Sequence, residues 1–355
     1  MGGRTVADHR RVLREGLPLI DLRAPAEFAL GAFPGAVNLP LLTDVERAAV
    51  GQRYKQCGQQ AAIALGEELV SGDVRNARID AWRNFVTAHP GTLLYCWRGG
   101  LRSQIAQEWL YPYGVDVARI TGGYKALRRT CLAAIDEFCA TTPLLVIAGR
   151  TGSGKTDLLN EFDAVIDLER LVNHRGSAFG SMATSQPTPI AFENRLAIDM
   201  LKAMGLSRVI VEDEGRTIGR LALPDALHAA MQAAPLVVLE VPRHERAARI
   251  YREYVESPLS DGTRPEQLRE RFANALDRIQ RRLGGSRHSQ VAELLEAAFG
   301  IDAPNETAHL KWIDRLLEWY YDPMYDHQLT AKQRRVVRTG DRATIAAYLQ
   351  EATGR

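Results

Sequence analysis

The stretch LLYCWRGGLRS, residues 93–103, passes from an apolar run into a loop rich in glycine and arginine. The apolar run is typical of a strand ending at Cys96, and an amphipathic segment typical of a helix begins at Ser103. Loop amides, a helix start and guanidinium groups favour a bound anion and the thiolate form of a cysteine. We therefore predict that Cys96 is reactive, although a small, inert, buried cysteine is the alternative. The predicted anion loop consists of Trp97, Arg98, Gly99, Gly100 and Arg102.

Bulk composition narrows the class of protein. A chain of 355 residues is long enough for two domains, and 46% hydrophobic with 25% charged residues is typical of a globular protein. The net charge of +2 requires any nucleic-acid surface to come from local clusters of basic residues. The cysteines lack metal-ligand spacing, which argues against structural zinc, and their small number favours a reducing compartment. Without a signal-peptide-like start or a long apolar run, we predict a cytoplasmic protein with no membrane partner.

Strands and helices alternate through the first half of the chain. Apolar strands are predicted at 17–23, 92–95 and 117–120, with helices across 43–89, 103–110 and 125–139. A break at Cys57-Gly58 divides the long helical stretch. This alternation predicts a parallel sheet covered by helices on both faces.

The second half opens with a phosphate-binding motif. Residues 143–148 (PLLVIA) form a predicted strand that leads directly into GRTGSGKT, which matches GxxxxGK[ST] between a strand and a helix. The loop amides would surround a diphosphate, Lys155 would neutralise its charge, and Thr156 would hold Mg²⁺. Apart from this Mg²⁺ position, we predict no site at which the protein binds a metal directly. The predicted diphosphate loop is Gly149, Arg150, Thr151, Gly152, Ser153, Gly154, Lys155 and Thr156.

Two further segments are expected near this loop. The apolar strand SRVIVED, residues 207–213, ends in Glu212 and Asp213. One of these carboxylates would hold the water shell of a metal or act as a base; the alternative is that they are ordinary acidic residues at a strand end. The segment NHRGSAFG, residues 173–180, places His174 and Arg175 where they would contact a diphosphate or a substrate base. A solvated loop histidine is the alternative interpretation.

The chain beyond residue 243 is predicted to be helical and rich in arginine, with a basic run, KQRRVVR, at 332–338. Basic residues alternate there with Trp312, Trp319, Tyr320 and Tyr325, a mixture suited to gripping phosphates and stacking bases, although solvated helix faces are the alternative. The predicted fold class is α/β. An N-terminal parallel-sheet domain spans 1–138, and a P-loop α/β domain with a helical, basic C-terminal region spans 139–355.

Three motifs in the first half resemble the signatures of rhodanese domains. They are IDLRAPAEFALGAFPGAVNLP (20–40), CWRGGLRS (96–103) and TGGYKA (121–126), in the expected order. The resemblance implies that Cys96 carries sulfur or its analogues as a persulfide. We expect Asp21 and Arg23 to brace its loop. The segment 44–80 is longer than a minimal rhodanese domain needs.

The whole chain resembles the tRNA 2-selenouridine synthases. Beyond the motifs above, NHRGSAFG and VEDEGRTIG (211–219) carry this resemblance. It implies a transferase acting on 2-thiouridine at the wobble position of the tRNA anticodon. The implied chemistry has two stages: geranylation of the sulfur by geranyl diphosphate, then selenation by selenophosphate through a Cys96 perselenide. Both donors are co-substrates, and no permanent cofactor is implied.

Two other functions remain open from the sequence. One is a rhodanese sulfurtransferase coupled to an ATP-dependent, kinase-like step on RNA. The other is a non-catalytic RNA-binding regulator that uses a nucleotide as a switch. The sequence does not tell which tRNAs are bound, whether the P-loop also binds ATP or GTP, or what role Cys57 has. It also leaves open the oligomeric state and how the wobble base moves between the two sites. The geranyl pocket is not located either, and its candidates are Phe179, Met182 and Phe192.

Overall fold

The structure, a computed structural model, describes residues 3–182, 184–300 and 305–354. The chain divides into two compact units: unit 1 comprises Met1–Phe138 with Pro187–Lys202, and unit 2 comprises Cys139–Gln186 with Ala203–Arg355. Each unit contains its own parallel sheet with helices, which confirms the predicted α/β class. Residues 187–202 belong to unit 1, although they follow the P-loop in sequence.

Unit 1 is built on a parallel sheet with the strand order β1-β5-β4-β2-β3. Its central strands are fully buried because helices cover both faces. The strands are β1 (Thr5–Val6), β2 (Leu19–Asp21), β3 (Ala36–Asn38), β4 (Leu93–Tyr95) and β5 (Ala118–Ile120). The helices are α1 (His9–Arg14), α2 (Pro25–Ala29), α3 (Asp44–Leu69), α4 (Gly72–Ala88), α5 (Leu101–Leu110) and α6 (Gly123–Thr141).

The long helix α3 contains the predicted break. Gly58 has φ of 80° and ψ of −174° inside it, a backbone conformation that glycine adopts without steric cost. Thr43 caps the start of α3 in a capping box with Glu46. The segment thus folds as a kinked helix, and α4 begins after it at Gly72.

Unit 2 has a second parallel sheet, with the order β12-β11-β6-β8-β7. Its strands are β6 (Leu144–Gly149), β7 (Val165–Ile166), β8 (Val209–Glu212), β11 (Leu236–Leu239) and β12 (Val336–Gly340). A separate antiparallel pair is β9 (Thr217–Ile218) and β10 (Leu221–Ala222). Helices α7 (Lys155–Leu159), α8 (Leu168–Val172), α9 (Pro189–Ala203, mostly unit 1) and α10 (Asp225–Ala233) connect these strands.

The rest of unit 2 is helical, as the sequence predicts. The helices are α11 (Arg243–Tyr251), α12 (Ser257–Ser260), α13 (Pro265–Leu283), α14 (Gly285–Phe299), α15 (Glu306–Leu316), α16 (Asp322–Lys332) and α17 (Arg342–Thr353). π-helical turns at 252–256 and 317–321 extend α11 and α15. No helix within the described ranges is long and apolar enough to cross a membrane.

The structure contradicts base stacking by two of the four predicted aromatic residues, while Trp319 and Tyr325 are partly exposed. Trp312 and Tyr320 are only 2% and 8% exposed and pack in the helical core, so they are not available to stack RNA bases. Within the basic run at 332–338, Lys332 pairs with Asp213 and Arg335 donates to backbone carbonyls, whereas Arg334 and Arg338 are exposed. The end of this run also forms β12, an edge strand that the sequence did not reveal.

Candidate functional site

Cys96 lies directly after β4, at the carboxyl end of the unit 1 sheet. Cys96 is 3% exposed, and its Sγ is 3.4 Å from the Ser103 Oγ. The thiol also donates to the Gly100 carbonyl oxygen at 3.9 Å. Helix α5 begins at Leu101, two residues before the predicted start, so the glycine loop turns directly into it.

The backbone around the start of α6 holds the Cys96 loop. The Tyr124 amide donates to the Cys96 carbonyl at 2.8 Å, and the Tyr124 ring stacks on Trp97 with centroids 5.2 Å apart. The Arg119 guanidinium donates to the Gly99 carbonyl at 2.6 Å. Gly99 has a φ of +64°, and a Cβ there would lie 2.5 Å from the Ile120 carbonyl oxygen. The loop conformation therefore requires glycine at this position.

Asp21 and Arg23 form a buried ion pair beside this loop. The Arg23 Nη2 is 2.6 Å from the Asp21 Oδ2 and also donates to the Gly31 carbonyl at 2.9 Å. The guanidinium lies over the Tyr124 ring, 3.7 Å from its centroid. These contacts connect the pair to the loop through Tyr124, and neither side chain is exposed to a substrate.

The two loop arginines have different surroundings. Arg98 is exposed, whereas Arg102 is half-buried and pairs with Glu27 at 2.7 Å. Burial alone would raise the pKa of Glu27, but the hydrogen bonds that Glu27 accepts from Arg102 lower this pKa below its usual value. Arg98 is therefore the loop guanidinium with open access to an anion, and Arg102 is tied to α2.

The P-loop of unit 2 connects β6 to α7. Gly152 and Gly154 have φ of +80° and +75°, which lets the backbone turn sharply enough to wrap a phosphate. Lys155 Nζ donates to the Gly149 carbonyl at 3.0 Å. The Thr156 hydroxyl donates to Glu212 Oε1 at 2.8 Å, which joins the loop to the end of β8.

Glu212 and Asp213 have separate roles although they are adjacent in sequence. Glu212 is fully buried beside Thr156, and its Oε2 has no hydrogen-bond partner among the described residues. Both Asp213 carboxylate oxygens lie 2.7 Å from Lys332 Nζ. Glu212 therefore faces the P-loop with an unsatisfied oxygen, while Asp213 is neutralised by a lysine.

Glu169 and Glu214 join Glu212 in one cluster, in which carboxylate oxygens lie within 4.8 Å of one another. Burial and neighbouring carboxylates raise the pKa of Glu169 above its usual value, and they raise that of Glu214 to about 7. Burial also raises the pKa of Glu212, against the opposing effect of Lys155. Glu169 and Glu214 were not among the predicted site residues, although their positions near the ends of two strands are a signal in the sequence.

The loop 173–180 covers this carboxylate cluster. A Cβ on Gly176 would lie 2.7 Å from Glu214 Oε1 and 2.8 Å from Glu169 Oε1, so only glycine allows the approach. Arg175 donates to the Glu253 carbonyl and lies over the Tyr254 ring. His174 is half-buried, and burial lowers its pKa. The loop thus lies at the phosphate end of unit 2, with Arg175 anchored to the helical part.

The three candidates for a geranyl pocket have different environments. Phe192 is buried in unit 1, and Met182 is 39% exposed. Phe179 packs on Phe272 and lines a cavity beside Thr151 of about 20 Å³, room for about one water molecule. This cavity does not hold a geranyl chain in the observed conformation.

Known proteins resemble this chain along nearly its whole length. Residues 142–355 match the family described as "tRNA 2-selenouridine synthase AAA domain". A protein named tRNA 2-selenouridine synthase from Bordetella petrii is 48% identical, covering 98% of this chain and 97% of the relative. The chain belongs to the tRNA 2-selenouridine synthase family. This confirms the family recognised from the sequence motifs, and the protein is an enzyme, as predicted.

Two further relatives carry the same name. The one from Hahella chejuensis is 46% identical over 99% of this chain and 96% of its own length. The one from Pseudomonas syringae is 44% identical over 97% of both chains. These matches span both units of the chain.

We predict that Gly123→Ala disrupts the Cys96 loop. Gly123 has a φ of +57°, and a Cβ there would lie 2.3 Å from the Cys96 carbonyl oxygen. The substitution should lower the free energy of unfolding by about 2 kcal/mol or more. The control is Gly100→Ala in the same loop, where nothing lies within 4 Å of the added Cβ. Equal stability of the two variants in chemical denaturation would contradict this account.

We predict that Glu169→Gln stabilises the protein at neutral and alkaline pH. The raised pKa means that the folded protein holds more protons than the unfolded chain above about pH 4.5, so stability falls as pH rises. The amide is neutral in both states and avoids this loss, so it should add on the order of 1 kcal/mol at about pH 8. Thermal unfolding from about pH 5 to 8 measures this, with exposed Glu351→Gln as control. Parallel pH profiles for wild type and Glu169→Gln would refute it.

Proposed function

We propose that this enzyme converts 2-thiouridine at the tRNA wobble position to 2-selenouridine in two stages. Geranyl diphosphate first alkylates the sulfur, and selenium from selenophosphate then replaces the S-geranyl group. The observation that carries the proposal is the near-full-length similarity to proteins named tRNA 2-selenouridine synthase. The presence of a cysteine loop and a P-loop in the same chain supports a division of the two stages between two sites.

Alkylation makes the later exchange chemically feasible. The thiocarbonyl sulfur attacks C1 of the geranyl chain, the C1–O bond breaks, and its electron pair leaves on the diphosphate. The N3 proton of the base is released in this step. The sulfur becomes a thiolate leaving group, and C2 becomes electrophilic.

The P-loop would bind and stabilise the departing diphosphate. Its positive-φ glycines allow backbone amides to surround phosphate oxygens, and Lys155 adds a full positive charge beside them. In this proposal the P-loop holds a diphosphate ester and does not hydrolyse a nucleotide. Preferential binding of ATP over geranyl diphosphate in competition would favour the kinase-like alternative instead.

The residues near Thr156 fit a bound Mg²⁺ ion. Hard oxygen ligands suit this ion, and Glu212 Oε2 is buried without a partner beside the Thr156 hydroxyl. We propose that Thr156 and Glu212 hold Mg²⁺, with Glu169 and Glu214 completing its acidic surroundings. Bound there, the ion would supply positive charge near the diphosphate.

Cys96 would carry selenium in the second stage. For a perselenide, the Sγ–Se bond forms as the Se–P bond breaks with its electron pair on phosphorus, so the phosphorus product is phosphite. The selenium then bonds to C2 as the C2–S bond breaks and geranyl thiolate leaves. A thiol reductant must finally cleave the S–Se bond to release the modified base.

We predict that Lys155→Ala blocks the first stage selectively. Geranyl transfer to 2-thiouridine tRNA should fall by about a hundredfold or more, because the departing diphosphate loses its cation. Selenation of separately prepared S-geranyl tRNA should continue at the wild-type rate. Mass spectrometry of wobble nucleosides distinguishes the two stages, with exposed Lys311→Ala as control. Normal geranyl transfer by Lys155→Ala would exclude the assignment.

We predict that Cys96→Ser blocks the second stage selectively. S-geranyl tRNA should accumulate, and its conversion to 2-selenouridine should fall at least about a hundredfold, because a hydroxyl replaces the nucleophilic thiolate. Cys57→Ser, at an exposed cysteine, is the matched control.

Phosphorus NMR of the released product tests the perselenide itself. Phosphite, together with a requirement for added thiol, is the expected result. Phosphate release without a thiol requirement would contradict the perselenide. Conversion at the wild-type rate by Cys96→Ser would remove Cys96 from the mechanism altogether.

A further inference from the structure

A large groove lies in unit 1 between helices α3 and α5. Its volume is about 970 Å³, within the range of small-molecule binding sites, which reach about 1,000 Å³. Aliphatic and aromatic side chains dominate its lining, including Leu41, Val50, Ile63, Ile105 and Trp109. Helix α3 forms one wall, and residues of α5 form another.

The groove is adjacent to the Cys96 loop. Leu101 and Arg102, the first residues of α5, line it, and the next residue, Ser103, contacts Cys96 Sγ. Cys96 also packs in one hydrophobic cluster with Leu41 and Ile105 of the groove. A molecule in the groove would thus lie beside the helix start that follows the cysteine loop.

Basic residues predominate among the charged groups of the groove. Arg47, Lys55 and Arg102 line it, against the single acidic residue Glu67. Arg47 and Arg102 are both oriented by Glu27, at 3.7 and 2.7 Å. An apolar lining with a basic margin is complementary to an apolar chain attached to a polyanion.

We propose that this groove binds the isoprenoid chain of S-geranyl uridine, borne on tRNA, while selenium is delivered from Cys96. The inference rests on the proposed function, in which the alkylated base must reach Cys96 with its chain attached. When the C2–Se bond forms and the C2–S bond breaks, the geranyl thiolate leaves into the groove with its electron pair. The exposed Lys55 would contact tRNA phosphates, while Arg47 and Arg102 are paired with Glu27.

Two groove-filling variants, Ile63→Trp and Ile105→Trp, test this proposal. The KM for S-geranyl tRNA in the selenation assay should rise about tenfold or more. The added indole ring would exclude the geranyl chain from the groove, and each methylene that loses its apolar contacts weakens binding by about tenfold. Geranyl transfer from geranyl diphosphate should keep its wild-type KM. The matched control for Ile63→Trp is Val45→Trp, on the same helix α3 but outside the groove lining and 80% exposed.

A second substrate makes the test independent of variant folding. Wild-type enzyme should convert S-geranyl tRNA with a KM about tenfold or more below that for S-methyl tRNA. The Trp variants should lose this preference while still converting S-methyl tRNA. Equal KM values for the two substrates in the wild type would overturn the proposal.

Other results would overturn the groove proposal while leaving the proposed function intact. One is an unchanged KM for S-geranyl tRNA in both Trp variants, with Cys96→Ser inactive in the same assay. Another is a raised KM for geranyl diphosphate in the first stage, which would assign the groove to the free donor. Selenation by Cys96→Ser, by contrast, would refute the role of Cys96 in the proposed function.

Discussion

The Cys96 loop depends on a close backbone approach that only glycine allows. The loop packs against residues 120–123, where a Cβ on Gly99 or Gly123 would lie within 2.5 Å of a carbonyl oxygen. This approach permits the hydrogen bond from the Tyr124 amide to the Cys96 carbonyl. The buried pair of Asp21 and Arg23 supports the same region through the Tyr124 ring. These contacts thus fix the position of the Cys96 loop.

Unit 2 contains a different constraint, a concentration of negative charge beside a phosphate-binding loop. Burial raises the pKa of Glu169, Glu212 and Glu214, and the Glu212 carboxylate raises the pKa of the other two further. An unsatisfied oxygen of Glu212 remains next to Thr156. Such an arrangement is costly unless a cation or protons neutralise it. The cost is tolerable at a functional site, where the same groups can hold a metal against a diphosphate.

Patterns within short stretches of sequence predicted much of the fold, because the conformation of each such stretch depends mainly on its own residues. The P-loop motif between a strand and a helix, the glycine break at Gly58 and the alternation of strands with helices all have direct physical causes. Trp312 and Tyr320 show where such patterns are insufficient. Aromatic residues beside basic ones suit both RNA binding and a helix core, and the packing of the surrounding helices selected the core.

The sequence by itself predicted two candidate centres, Cys96 in its glycine loop and Lys155 in the P-loop, because each lies within one continuous motif. Only the tertiary structure decided which carboxylates lie close to the P-loop. The sheet order puts β7 beside β8, which brings Glu169 to Glu212, while Lys332 neutralises Asp213 from a distant helix. The groove between α3 and α5 was likewise decided by packing. Contacts between residues far apart in the chain depend on strand order and helix packing, and no local pattern encodes them.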